Sequence, residues 1–366
     1  MRLGVRAAIV GGDLVPGDVE VADGAVAAVG LAGAGRSGLA VPGFVDLQVN
    51  GFCGVDFLST DVDGYRQASR GLLALGVTAF QPTLITAPEQ DVLAAITVVG
   101  EAMRVGTGGA RVLGVHLEGP FISPLRPGAH SIEAIRPPDV RLMQRLLAEG
   151  PVTTVTLAPE LPGALDVVDI LVRAGVTVSC GHTNASASEA NAAFDRGVHT
   201  VTHLFNAMRP LAHRDPGIIG VALAREDVVV QIVLDHDHLA RETSVLVWRA
   251  APGRLCLVSD AITAAGLGDG VYSLGPLEIV VDEGRARLAD GTIAGSTVAL
   301  DQAMRNLVGL GASIEEAVAA VTSAPARVLG RADIGVLAVG GPADVVVLDD
   351  ELVVSRVLLA GVEVAR

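Results

Sequence analysis

The chain has 366 residues, half of them hydrophobic, 18% charged and only 3% aromatic, with a net charge of −15. That length suits one large domain plus a small one, and the scarcity of aromatics leaves a core of Val, Leu, Ile and Ala, as in a buried parallel sheet. The acidic balance argues against a nucleic-acid backbone as partner, but it leaves room for a small anionic substrate bound by a few arginines or a helix N-terminus.

Residues 1–40 read as short strands, Ala7–Val10, Val15–Val21 and Ala25–Val29, with hairpin signals at Gly11-Gly12-Asp13 and Asp23-Gly24. The C-terminus reads the same way: Asp344–Asp349, Val353–Leu359 and Val362–Ala365 are apolar or alternating, with a turn at Gly361. We therefore expect a small β-sandwich assembled from both termini, residues 1–42 with 336–366. Residues 43–335 would form the large domain.

Between these ends, strand patterns alternate with helical ones. The strands are Val41–Asn50, Thr78–Leu84, Val112–Glu118, Thr153–Pro159, Thr177–His182, Thr200–Phe205, Val228–Asp235 and Leu255–Asp260. Helical periodicity covers Gly64–Leu75, Glu89–Val105, Pro138–Glu149, Ala164–Ala174, Ser186–Arg196 and Arg241–Ala250. Eight such alternations predict an α/β fold, a (β/α)8 TIM-type barrel whose active site lies at the C-terminal ends of the strands. Gly268–Gly295 interrupts the pattern as two or three β-segments, followed by helices Leu300–Leu310 and Ser313–Ser323.

Four strand exits carry chemistry. Glu118, His182, His203 and Asp260 each end a short apolar run. One carboxylate and two imidazoles are the ligand set of a hydrolytic metal site that keeps a place for water. The last carboxylate, Asp260, would take the proton from that water. Imidazoles without thiolate suit Zn2+, with Fe2+ or another divalent ion as alternatives. A lone histidine at a strand end is more often a bonded core residue, and Asp260 could also be a fourth ligand or a helix N-cap; two histidines on adjacent strands favour the metal.

All 26 basic residues are arginine, so a Schiff-base lysine, a P-loop lysine and a carboxylated lysine bridging two metals are excluded. Cys53, Cys180 and Cys256 are too few and too scattered for a disulfide framework. The first ten residues lack a secretory apolar core, and no apolar run is long enough for a bilayer. The expected compartment is the cytoplasm, with no membrane partner.

The ordered set of motifs resembles the N-acetylglucosamine-6-phosphate deacetylase family of the amidohydrolase superfamily. The matching stretches are Pro42–Gly51, His116–Ile122, Gly128–His130, Gly181–Ala185, Thr202–Met208, His213–Gly217, Ser259-Asp260, Gly291–Ser296 and Ser323–Arg327. Where many amidohydrolases place a His-x-His that binds a second metal, this chain has Gln48 and Asn50. Amides are poor transition-metal ligands beside imidazole, so the resemblance points to the single-metal subgroup.

The resemblance implies hydrolysis of N-acetylglucosamine 6-phosphate to acetate and glucosamine 6-phosphate, and a homodimer. It implies substrate contacts from His130 and from His238, the latter preferred over His236. Asn206 and Ala207 follow the sixth strand, where backbone N–H groups can point into the site, and Arg214 offers a fork for phosphate oxygens. In the family that arginine region often reaches across a dimer interface. His116 is read as a support within the barrel and His199 as structural, with His213 left open. The rival readings are an N-acetylgalactosamine 6-phosphate deacetylase, a cyclic amidohydrolase, and a non-catalytic scaffold.

Overall fold

Short, mostly buried runs of two to nine residues form the strands at the centre of the molecule. A computed structural model describes residues 1–364. Its barrel strands are Phe44–Val49, Val77–Ile85, Val115–Glu118, Val152–Leu157, Thr177–Cys180, Thr200–Val201, Val229–Ile232 and Leu255–Leu257. All neighbouring pairs are parallel. A parallel bridge from Val49 to Ala261, just past the eighth strand, closes the ring. The second strand is buried at every residue, as a strand with core on one side and helices on the other must be.

Helices follow the strands: α1 (Val62–Ala74), α2 (Glu89–Val105), α3 (Val140–Glu149), α4 (Ala164–Arg173), α5 (Ala187–Phe194), α6 (Gly217–Ala224), α7 (Arg241–Ala250) and α8 (Leu300–Gly309). Their starts are written in the sequence. Asp61 caps α1 by accepting from the Gly64 amide, and Ser186 with Glu189 forms a capping box on α5. Helix α6 had no counterpart in the sequence reading. Its residues, Gly-Ile-Ile-Gly-Val-Ala-Leu-Ala, are apolar all round, so the polar face that marks a surface helix is missing. A short helix at Ser323–Val328, holding Pro325, also lay outside the expected helices, because an internal Pro argues against one.

The first predicted strand, Val41–Asn50, is two strands. Leu39–Pro42 belongs to the terminal sheet and Phe44–Val49 to the barrel, with the break at Gly43. Val15–Val21 likewise divides at Gly17, whose φ is 117°, into Asp13–Pro16 and Asp18–Ala22.

The two termini do build one small unit. Its six-stranded sheet runs Asp13–Pro16, Ala7–Val10, Leu39–Pro42, Val345–Leu348, Val354–Leu359 and Val362–Glu363 in spatial order. A two-stranded sheet of Asp18–Ala22 and Ala25–Leu31 completes it. Its core includes Leu3, Val19, Val26, Ala40, Val345 and Leu358. An ion pair between Arg111 and Asp344 ties it to the barrel. The expected last strand ended at Ala365, which lies outside the described residues.

The interruption after the eighth strand is a three-stranded antiparallel arm, Gly270–Leu274, Leu277–Asp282 and Arg285–Arg287. It packs Leu274, Ile279 and Val281 against Ile85 and Ile262. This puts the arm beside the C-terminal mouth of the barrel. Cys180 and Cys256 are buried, and all three cysteines are free. Among the described residues, no helix is long and apolar enough to cross a membrane.

Candidate metal centre and active site

The third, fifth, sixth and eighth strands end on one rim, and there the backbone turns sharply. His182, His203 and Asp260 have φ of 48°, 30° and 49°. Side chains rarely adopt this region, at a cost of roughly 1–3 kcal/mol each. The turn swings each functional group inward as the chain leaves its strand. Together with Glu118 they line a cavity of about 220 Å3, which also takes in Asn50, His130, Asn206, Ala207, His238 and Leu274.

Three donor atoms converge. Glu118 Oε1 lies 2.9 Å from His203 Nε2 and 3.2 Å from His182 Nε2. The two imidazole nitrogens are 3.1 Å apart. A tetrahedral ion with bonds of about 2.0–2.1 Å would need its ligand atoms about 3.3 Å from one another. His182 Nδ1 donates to the Arg126 carbonyl at 3.1 Å, which leaves the Nε2 lone pair facing the centre. The donor set and its spacing therefore fit a divalent cation.

His130 belongs to the same cluster, since its ligand atom and those of Glu118 and His182 fall within 4.8 Å of one another. Its role differs, however. The Thr86 amide donates to His130 Nδ1 at 3.2 Å, so the neutral ring carries its proton on Nε2. That nitrogen faces the other Glu118 oxygen at 3.6 Å as a donor, not a ligand.

Electrostatics separate the two carboxylates. Burial alone would raise Glu118, but its close contacts with His130, His182 and His203 outweigh it and hold the carboxyl well below the usual range. Asp260 moves the other way, to about 6, because burial and then the Glu118 charge raise it more than His203, His238 and the Asn50 amide lower it. Burial drives His182 down to about 4, with His130 adding to the effect. His203 is raised, because its bond to Glu118 and the charges of Glu118 and Asp260 exceed its burial.

Gln48 and Asn50 occupy the first strand's exit. Gln48 Nε2 donates to Glu118 Oε1 at 3.1 Å, and Asn50 Nδ2 donates to Asp260 Oδ1 at 2.7 Å. Each amide thus holds one of the two carboxylates that line the cavity. Their type was noticed in the sequence, but this bonding was not foreseen. His116 sits inside the barrel between Thr83 at 3.1 Å and Thr156 at 2.7 Å. Burial takes it down to about 4. It supports the wall and is not among the residues that line the cavity.

The remaining candidates divide. Asn206 and Ala207 line the pocket and His238 faces Asp260, its Nε2 being 3.8 Å from Asp260 Oδ2. His236 is exposed, and His199 bonds the Val328 carbonyl away from the site. Arg214 and His213 are exposed on the Ala212–Asp215 turn, and neither lines the cavity within this single chain. Sequence reasoning missed Asp235 and Ser296. Both lie in stretches singled out for other reasons, and their mutual bond of 2.8 Å spans 61 positions.

The profile of the Amidohydrolase family matches residues 39–364, and the chain belongs to that family. Within it, the chain is 40% identical over 338 residues to N-acetylglucosamine-6-phosphate deacetylase of Bos taurus, covering 87% of this chain and 82% of that one. It is 35% identical to N-acetylgalactosamine-6-phosphate deacetylase of Escherichia coli O157:H7, covering 88% and 87%. Among solved structures, a mutant N-acetyl-D-glucosamine-6-phosphate deacetylase of Mycobacterium smegmatis in complex with N-acetyl-D-glucosamine-6-phosphate superposes with a TM-score of 0.94. It is 37% identical, over 99% of this chain and 98% of that one.

Proposed function

We propose that this chain hydrolyses the acetamide of N-acetylglucosamine 6-phosphate, releasing acetate and glucosamine 6-phosphate. The observation that carries the reading is the convergence of Glu118, His182 and His203 within about 3 Å of one another beside a buried Asp260. The similarity to deacetylases over most of the chain supports the substrate.

Glu118, His182 and His203 would hold one divalent cation, with Zn2+ preferred for a nitrogen and carboxylate set. When bound, such a cation polarises the amide carbonyl and acidifies water. Asp260 accepts the proton of the attacking water as the new C–O bond forms, and it returns that proton to the nitrogen as the C–N bond breaks. Asn50 fixes Oδ1 of Asp260, leaving Oδ2 towards the pocket. His130, a donor at Nε2, and His238 would contact the substrate. Ala207 would direct its backbone N–H towards the phosphate end, whereas the Asn206 N–H is taken by the His203 carbonyl, leaving its side chain to face the pocket.

Arg214 is assigned to the phosphate as well. Its exposure in the single chain fits a homodimer in which it serves a neighbouring site, and we place the enzyme in the cytoplasm. A second reading, N-acetylgalactosamine 6-phosphate as substrate, is favoured by the 35% identity to that deacetylase. Acetate release from the two epimeric 6-phosphates and from unphosphorylated N-acetylglucosamine separates these readings. We expect the N-acetylglucosamine 6-phosphate reaction to dominate by kcat/KM. A larger kcat/KM for the other epimer would transfer the assignment, and release from none would overturn it.

A further inference from the structure

The exit of the seventh strand carries a carboxylate–imidazole pair, Asp235 and His238, whose carboxylate has no part in the hydrolysis above. Asp235 is saturated with donors. Its Oδ1 accepts from the amides of Asp237 and His238, both at 2.9 Å. Its Oδ2 accepts from His238 Nδ1 at 2.7 Å and from Ser296 Oγ at 2.8 Å. Burial would raise this carboxyl, but the His238 bond and charge and the backbone amides outweigh it and hold it well below the usual range. An ionised carboxylate only accepts hydrogen bonds. The proton facing it must therefore sit on His238 Nδ1, which turns Nε2 towards the pocket and Asp260.

Ser296 fixes the geometry from the other side. Its amide donates to the Asp260 carbonyl at 2.9 Å, and its own carbonyl accepts from Ile262. One residue thus grips the backbone of Asp260 and the side chain of Asp235. Gly295 makes the approach possible. A Cβ there would lie 2.5 Å from Ile262 Cγ2 and 2.9 Å from the Asp260 carbonyl oxygen, at a φ of 71°.

We infer that Asp235, braced by Ser296, is a positioning residue that pins the proton on His238 Nδ1 and presents a fixed Nε2 to the substrate beside Asp260. It acts on the reaction only through His238. The inference rests on the deacetylase reading for its kinetic part, and its tautomer part stands independently. A carboxylate bonded this way to the far nitrogen of a histidine fixes both ring orientation and tautomer.

The test is a double-mutant cycle on the metal-loaded enzyme with N-acetylglucosamine 6-phosphate: wild type, D235N, H238Q and D235N/H238Q. Asn keeps an oxygen for the two backbone amides but offers an N–H to His238. We expect D235N to lower kcat/KM at least about tenfold and less than about twofold in the H238Q background. The same factor in both backgrounds, or no loss from H238Q itself, would overturn the inference. S296A, which leaves every backbone bond of Asp235 in place, should give a smaller loss that also vanishes with H238Q. In 15N-histidine spectra, His238 should be the Nδ1–H tautomer in wild type and change in D235N. An Nε2–H tautomer in wild type would contradict the proposal even if no acetate were released, a result that would by itself remove only the function assigned above.

Discussion

Asp260 and Glu118 are both buried carboxylates in one cavity, and their neighbours give them opposite characters. Glu118 is surrounded by imidazoles and stays ionised, as its proposed ligand role requires. Asp260 has one amide donor and a negative neighbour, which leaves it basic enough to take a proton. Asp260→Asn keeps the shape and removes the base. We expect turnover to fall at least about a thousandfold, roughly 4 kcal/mol of barrier, with metal content unchanged. Steady-state kinetics beside metal analysis checks this, and near-normal turnover would refute the role. Asp46 offers a stability test. Burial, opposed by Ser259 and Gln48, raises it from 3.8 to about 6, and its Oδ2 has no hydrogen-bond partner among the described residues. Since the folded value exceeds the unfolded one, the stabilising term is complete below about pH 4 and is lost as pH rises through about 6. Asp46→Asn should therefore gain on wild type as pH rises from about 4 to 7, by up to about 3 kcal/mol. Parallel melting curves across that range would refute it.

At the scale of elements, the sequence shows some boundaries and hides others. Strand exits were legible because a polar residue stood at the end of each apolar run, so Glu118, His182, His203 and Asp260 could be placed on one rim. The expected helices beginning at Ser186 and Ser313 do start there, and each serine forms a capping box with the glutamate three residues on. Helix α6 was not legible, because a segment apolar all round shows no period. The division of the first strand at Gly43 was hidden as well, since the terminal sheet and the barrel both ask for continuous apolar residues. Asp235 and Ser296 escaped because their partnership is tertiary, and a carboxylate beside two histidines in sequence does not say which imidazole it will hold. The arm after the eighth strand is held to the seventh-strand exit by an ion pair, Arg287 to Asp237 at 2.6 Å. This pair is partly exposed and worth at most about 1 kcal/mol. Arg287→Ala should raise KM by less than about fivefold and leave kcat nearly unchanged. A collapse of kcat with normal KM would show that the arm does more than border the pocket.

At the scale of the whole molecule, a barrel supplies rigid strand ends, and both termini fold back to brace one flank. The absence of lysine and the amides at 48 and 50 support the proposed single cation. Gln48 and Asn50 donate to Glu118 and Asp260, where a second metal would need lone pairs instead. Titration of metal-free protein with Zn2+, followed by acetate release from N-acetylglucosamine 6-phosphate, tests this most directly. Activity should rise linearly and reach its plateau at one equivalent per chain, whereas full turnover without metal, or a plateau only at two equivalents, would contradict the account.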